Sequence, residues 1–129
     1  MQNLNVAVVG CGYWGPNLIR NFNQMKGCTV KACCDLDSEK LQRMSNLYPG
    51  IKATNHIEDI LSDDSIAAVA IVTPVYTHAA LGTLCLQHDK HVLIEKPMAS
   101  GVHECLKLIK VAAEKNKVLM VGHTFEYTA

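Results

Sequence analysis

Val6-Ala-Val-Val-Gly10-Cys-Gly12-Tyr-Trp-Gly15-Pro16 decides how the rest of the chain is read. An apolar, β-rich run from Leu4 to Val9 empties into three glycines spaced G-x-G-x-x-G, and a stretch of helical periodicity follows. Each glycine has its own reason. Gly10 permits a tight strand-to-helix turn, Gly12 lets backbone approach a pyrophosphate with no Cβ in the way, and Gly15 lets the helix pack closely on the strand. The helix that opens here turns free N–H groups and the positive end of its dipole toward that anion. Pro16 suits the first helical turn, where its missing donor is not needed.

Asp35 stands 20 residues beyond Gly15, at the end of a second apolar run, Thr29-Val-Lys-Ala-Cys-Cys34. An acid there accepts hydrogen bonds from the adenosine ribose and repels a 2′-phosphate, which favours NAD(H) over NADP(H). Glycines also gather in ordinary turns, and Asp35 with Asp37 and Ser38 would suit a helix start. The strand before, the helix after and the acid at this distance together select the dinucleotide reading. Lys31 and Lys40 stand near enough in sequence to offset the acid's charge, so dual cofactor use stays open.

At 129 residues the chain is expected to form one domain with a core that needs no disulfide or metal. Hydrophobic residues make up 49% and the formal net charge is zero, which argues against disorder and leaves no electrostatic case for nucleic acid or an anionic membrane as partner. Aromatic residues are 5% and the basic residues are dispersed, so no basic stripe with stacking residues arises. None of the six cysteines forms a C-x-x-C pair, and Cys33 and Cys34 sit side by side in an apolar strand. Reduced thiols in a cytoplasmic protein are the simplest reading. Cys11, in the glycine loop, is readable as a redox-sensing thiolate at a helix N-terminus, or more simply as a small residue tolerated in a tight turn. His88 and His91 form H-x-x-H without a third ligand at useful spacing, so no metal site is expected. The chain opens with no n-region followed by an h-region and holds no apolar run near about 18 residues, so no signal peptide or membrane span is expected.

The periodicities then alternate. Strands are predicted at Asn5 to Val9, Thr29 to Cys34, Ile51 to Ala53, Ala67 to Val72, His91 to Ile94 and Val118 to Val121. Helices are predicted from Pro16 to Met25, from Glu39 to Tyr48 with Ser38 as cap, over Ile57 to Leu61, from Thr77 to Gln87, and from Val102 to Lys115. The last should bury Val102, Cys105, Leu106, Ile109, Ala112 and Ala113. Such alternation with short connections implies a doubly wound, six-stranded parallel sheet of Rossmann type, order 3-2-1-4-5-6, with helices on both faces. The glycine loop, Asp35, Thr73-Pro74, Glu95-Lys96-Pro97 and Gly122-His123 would then all collect at the carboxyl edge.

On these residues the chain resembles the glucose–fructose oxidoreductase/inositol dehydrogenase (Gfo/Idh/MocA) family of NAD(P)-dependent sugar dehydrogenases. Gly10-Cys-Gly-Tyr-Trp-Gly-Pro-Asn17 is similar to that family's phosphate loop and Cys34-Asp35-Leu-Asp37 to its ribose-binding strand end. Thr73-Pro74-Val-Tyr-Thr77-His78, Glu95-Lys96-Pro97 and Gly122-His123-Thr-Phe resemble its further signatures, and the glycine loop from Gly12 to Asn17 together with the Gly122-His123-Thr-Phe ending is most like dehydrogenases of nucleotide-linked amino sugars or their uronic acids. The resemblance implies hydride transfer between a sugar, free or nucleotide-linked, and nicotinamide. It implies cofactor contacts at Gly10, Gly12, Tyr13, Trp14, Gly15, Asp35, Thr73, Pro74, His78, Glu95, Lys96 and Pro97, with Lys96 facing the sugar as the catalytic residue. Tyr13 and Trp14 would cover the pyrophosphate or meet a neighbouring domain. Residues 1–122 would be the dinucleotide-binding domain, and residues 123–129 would begin the connection to a second α/β domain that supplies most of the sugar site and the homo-oligomer interface. As the cofactor half alone, the chain is expected to bind dinucleotide with little turnover. The alternative is a freestanding NAD(H)-binding sensor module without catalysis.

Overall fold

A computed structural model describes residues 3–12 and 14–122. Six strands form one all-parallel sheet: β1 (Leu4–Val9), β2 (Cys28–Cys34), β3 (Lys52–Thr54), β4 (Ala68–Ile71), β5 (His91–Glu95) and β6 (Leu119–Gly122). Their order is β3-β2-β1-β4-β5-β6, as expected, so the winding direction reverses between β1 and β4. The helices are α1 (Gly15–Gln24), α2 (Ser38–Leu47), the single turn α3 (Glu58–Leu61), α4 (His78–Gln87) and α5 (Val102–Lys115). Among the described residues no helix is long and apolar enough to cross a membrane.

The sheet separates two cores, because alternate residues of a strand face opposite sides. Val6 and Val8 of β1 pack with Leu18, Ile19 and Met44 under α1 and α2. Ala7 and Val9 face the other way, onto Ile60, Ile71, Cys85, Leu86, Ile94 and Leu108 beneath α3, α4 and α5. In β2 the alternation breaks: Val6 pairs with Val30, but Ala7 pairs with Ala32, leaving Lys31 as an extra residue. This bulge keeps Val30 and Cys33 on one face although they are three apart, and it turns the Lys31 ammonium out to Asp63, 3.0 Å away.

Helix ends and faces depart from the periodicity in four places. Asp37, not Ser38, caps α2, its Oδ1 accepting the Glu39 N–H at 2.9 Å. Helix α4 begins at His78 because a 3-10 turn, Val75–Thr77, intervenes, and Ala80 on its first turn is exposed. Met25 and Leu47, apolar residues at the ends of the first two helical stretches, are 56% and 60% exposed. Helix α5 buries Leu108 and Ala112, with Cys105 and Val111 packed beside them, whereas Val102, Leu106 and Ile109 face out. That helix carries two apolar stripes about a quarter-turn apart. Packing on α4 selects one of them, and periodicity alone cannot.

At the amino edge lies a buried cation that the sequence did not reveal. Lys90, in the turn before β5, is 2% exposed and its Nζ donates to the carbonyls of Asp63 (2.7 Å) and Ile66 (2.9 Å). It fastens the loop entering β4 to the start of β5. Lys90→Met keeps the apolar stem and removes both donors. It is expected to cost about 2–4 kcal/mol, read as a lower urea midpoint at unchanged slope; a loss under about 0.5 kcal/mol would refute the tie.

A dinucleotide-binding cleft at the carboxyl edge

The glycine loop leaves β1 and doubles back across its own exit. Gly10 has φ +106°, a left-handed value that glycine adopts without strain, and its N–H donates to the Cys34 carbonyl at 2.8 Å. A Cβ on Gly15 would lie 1.9 Å from the Gly10 carbonyl oxygen, so the start of α1 touches the loop backbone directly. Gly12 differs. A Cβ there would meet only the Lys40 Nζ, at 3.7 Å. Nothing in the protein forbids a side chain at Gly12, and the free space above it opens into the cleft. Trp14 precedes α1, its carbonyl accepting the Leu18 N–H at 3.1 Å. Tyr13 lies outside the described residues.

Asp35 secures the loop to the end of β2. Its Oδ2 accepts the Cys11 N–H at 2.7 Å and its Oδ1 the Asp37 N–H at 2.8 Å. One carboxylate therefore opens the turn into α2 and also braces the glycine loop. Each oxygen keeps a lone pair for a further donor.

Between β1 and β4 these residues border a cavity of about 820 Å³. Gly10, Gly12, Asp35, Thr73 and Pro74, all singled out from the sequence, line it. Its other wall was not anticipated. Leu36, Ile57, Tyr76, Ala80 and Leu81 make an apolar half, with Lys40, His56 and Glu58 as polar members. Leu36 is 90% exposed beside an acid, a position where only a partner would reward an apolar side chain; that is the signal the sequence did carry. Of the two lysines near the acid, Lys40 lines the cavity, whereas Lys31 is engaged by Asp63 and Ser65 on the far side of the bulge.

The Thr73 hydroxyl is fixed by its neighbours. The Thr77 hydroxyl donates to the Pro74 carbonyl at 2.6 Å, so the 2.6 Å contact between Thr73 and Thr77 uses the Thr73 proton. Glu95, Lys96 and Pro97 stand at the same edge beyond β5, outside the cavity walls. Lys96 is exposed, its N–H donating to the Gly122 carbonyl at 3.1 Å, and the Lys96–Pro97 peptide is cis. His78 sits behind the cleft and not in its wall. It is 2% exposed, with both ring nitrogens directed at backbone carbonyls. His123 lies outside the described residues.

Cys11, Cys34 and Cys85 are held as thiols. Cys11 is buried four residues before α1 begins, with its Sγ 3.8 Å from the Cys34 carbonyl oxygen. Its hydrogen bond with Cys33 and its burial push its pKa up, which corrects the thiolate reading. Burial, followed by the charge of Asp35, raises Cys34 to about 11, and burial raises Cys85 to about 12. Of the H-x-x-H histidines, the His88 Nδ1 lies 2.9 Å from the Leu84 carbonyl, and the His91 Nδ1 accepts the Val118 N–H at 3.0 Å.

A family model described as "Oxidoreductase family, NAD-binding Rossmann fold" matches residues 4–123. The chain belongs to this family. It is 32% identical over 120 residues to the inositol 2-dehydrogenase of Rhodococcus jostii (strain RHA1), a match covering 92% of this chain and 33% of that protein. It is 28% identical over 138 residues to a glycosyl hydrolase family 109 protein of Shewanella woodyi (strain ATCC 51908 / MS32), covering 98% of this chain and 29% of that one. Among solved structures, GenD2 from gentamicin A biosynthesis, in complex with NAD, superimposes with a TM-score of 0.92 at 26% identity, covering 98% of this chain and 36% of GenD2. The chain thus spans about a third of the length of the relatives it matches. It is an NAD(P)-binding Rossmann domain of the oxidoreductase family, in which the glycine loop is expected from the sequence to be the phosphate cradle.

Two substitutions separate packing from ligand approach. Gly15→Ala is expected to destabilise the fold by about 3 kcal/mol, since its methyl group collides with backbone. Gly12→Ala should melt within about 0.5 kcal/mol of the parent yet bind dinucleotide at least about tenfold more weakly. Thermal melts and NADH titrations of the two variants check this; a Gly12→Ala domain with undiminished affinity would contradict the cradle.

Proposed function

We propose that this chain is the cofactor-binding domain of an NAD(P)-dependent dehydrogenase that moves hydride between a sugar or cyclic polyol, free or nucleotide-linked, and nicotinamide, with NAD(H) preferred. One observation carries the reading: Gly10, Gly12 and Asp35 converge on one cavity, and Gly12, the glycine of the G-x-G-x-x-G loop with room for a Cβ, lines its open space. The residues fit the group. The loop N–H groups would hold the pyrophosphate. A spare lone pair of Asp35 would take a ribose hydroxyl, and the apolar wall of Leu36, Ile57 and Leu81 would take the flat base. When bound, the nicotinamide supplies the hydride acceptor. Thr73, Pro74 and Glu95 would border its end of the cleft, with Trp14, Gly15 and Pro97 shaping the approach. Lys96 Nζ would face the sugar, taking the hydroxyl proton or stabilising the developing oxyanion.

The inositol 2-dehydrogenase among the relatives supports the polyol or sugar class, and GenD2 with bound NAD supports the cofactor. The preference for NAD(H) rests on the Asp35 carboxylate, which a 2′-phosphate would have to face, with Lys40 offsetting part of that repulsion. Residues 123–129 would lead into a second domain carrying the rest of the sugar site and the homo-oligomer interface. Six free thiols suit a reducing cytoplasm.

Trp14 is the only tryptophan and lies in the loop, so energy transfer to a reduced nicotinamide reports binding. Saturable quenching by NADH is expected, with NADPH at least about tenfold weaker and Asp35→Asn narrowing that ratio. A folded domain whose Trp14 responds to neither dinucleotide would overturn the reading. Equal affinities would overturn the NAD(H) preference alone.

A further inference from the structure

We infer that His78 is the positioning residue that fixes the Thr73-Pro74 loop against the Glu95-Lys96-Pro97 turn, and that its ring does so as an imidazolium. The inference rests on the dehydrogenase reading for its consequence and on geometry for its substance.

Strands β4 and β5 are held to each other by their ladder as far as the pair Ile71–Ile94. Beyond it each enters a loop, and the two loops carry the residues placed around the nicotinamide. His78 spans that gap. From the first position of α4 its Nε2 lies 2.7 Å from the Thr73 carbonyl oxygen and its Nδ1 2.9 Å from the Pro97 carbonyl oxygen. Each anchor is two residues past the end of its strand.

A carbonyl oxygen only accepts, so each contact requires an N–H on the ring. The neutral imidazole carries one and would set a lone pair against the other oxygen. At 2% exposure there is little room for water to relieve that opposition. The imidazolium carries both donors, and a charged donor makes the stronger bond. The first turn of α4 opposes a cation through its dipole. The elements packed against that turn contribute Tyr76 from the 3-10 turn, Glu95 and Lys96 from the end of β5, and His103 and Glu104 from the start of α5, while β4 and α4 itself bring no acid. The two short contacts to fixed carbonyls decide for the charged ring.

The consequence falls on the cleft. The same carbonyl that Nε2 grips belongs to Thr73, whose hydroxyl is bound to Thr77. Pro97 is joined directly to Lys96. The ring therefore sets the spacing between a cleft-lining hydroxyl and the lysine at the cleft edge without touching either group.

The test uses the chain labelled with ¹⁵N-histidine. Long-range ¹H–¹⁵N correlation at neutral pH should show His78, assigned by its absence in His78→Gln, with both ring nitrogens protonated and both N–H protons slow to exchange. A neutral-tautomer pattern overturns the imidazolium. His78→Gln, which can serve one carbonyl, should raise the Kd for NADH about tenfold and shift the Thr73 and Lys96 amide signals while leaving that of Lys90, at the opposite edge, in place. His78→Phe, which fills the space without a donor, should raise the Kd further. Variants that are merely less stable, with unchanged NADH affinity in the folded state and unmoved Thr73 and Lys96 signals, overturn the positioning role. If the parent binds neither NADH nor NADPH, the dehydrogenase reading fails while the ring pattern still decides the state of His78; if the parent binds NADH and the variants match it, this inference fails alone.

Discussion

The carboxyl edge depends on one contact, the passage of Gly15 over the Gly10 carbonyl with no space for a Cβ between them. That approach forces α1 to start where the loop crosses its own exit. The loop cannot drift, because the Gly10 N–H is tied to the Cys34 carbonyl and the Cys11 N–H to the Asp35 carboxylate. Both anchors belong to the end of β2, so the phosphate cradle is only as well placed as the pairing of β1 with β2. The bulge at Lys31 matters here. It lets β2 reach Cys34 with the thiols of Cys33 and Cys34 on opposite faces and with a charged residue turned outward.

Sheet order and the main cleft residues were legible because their signals are local. A buried parallel strand is an apolar run, a glycine loop is a fixed spacing, and Asp35 follows at a set distance. What could not be read depended on a choice made by distant residues. Leu106 and Leu108 are equally apolar, and only the position of α4 decides which of them is buried. Lys90 looks like any turn lysine until two carbonyls from the loop before β4 are brought against it. The far wall of the cavity joins Leu36, Ile57 and Leu81 from three connections after three strands, a gathering that no spacing announces. Glu95-Lys96-Pro97 was placed correctly at the edge by strand succession, yet succession does not say whether a side chain meets the cavity.

Two buried side chains, Lys90 and, on the inference above, a charged His78, answer the same difficulty at opposite ends of β4 and β5. Parallel strands leave their first and last carbonyls without partners where the chain turns away. At the amino edge Lys90 supplies donors to Asp63 and Ile66; at the carboxyl edge His78 supplies them to Thr73 and Pro97. A side-chain cation is suited to both places, since it carries several donors and needs no acceptor of its own. The choice between them follows from the surroundings. The flexible ammonium of Lys90 can adapt to a structural turn, whereas a rigid ring holds two loops at a set distance, which a reacting site needs.

The cleft is therefore unequal along its length. The end proposed for base and ribose is bordered by residues of this chain, with apolar side chains on one wall and a braced carboxylate on the other. At the nicotinamide end Lys96 and Pro97 are exposed, and the turn is held from behind by His78 and by the Lys96 N–H bond to Gly122. Binding a dinucleotide requires the first kind of surface. Moving a proton at Lys96 Nζ in step with hydride requires water to be excluded around that atom. Under the proposed function, affinity for the cofactor and the proton step thus fall on different surfaces of the fold, the cavity wall at the sheet edge and the exposed turn that follows β5.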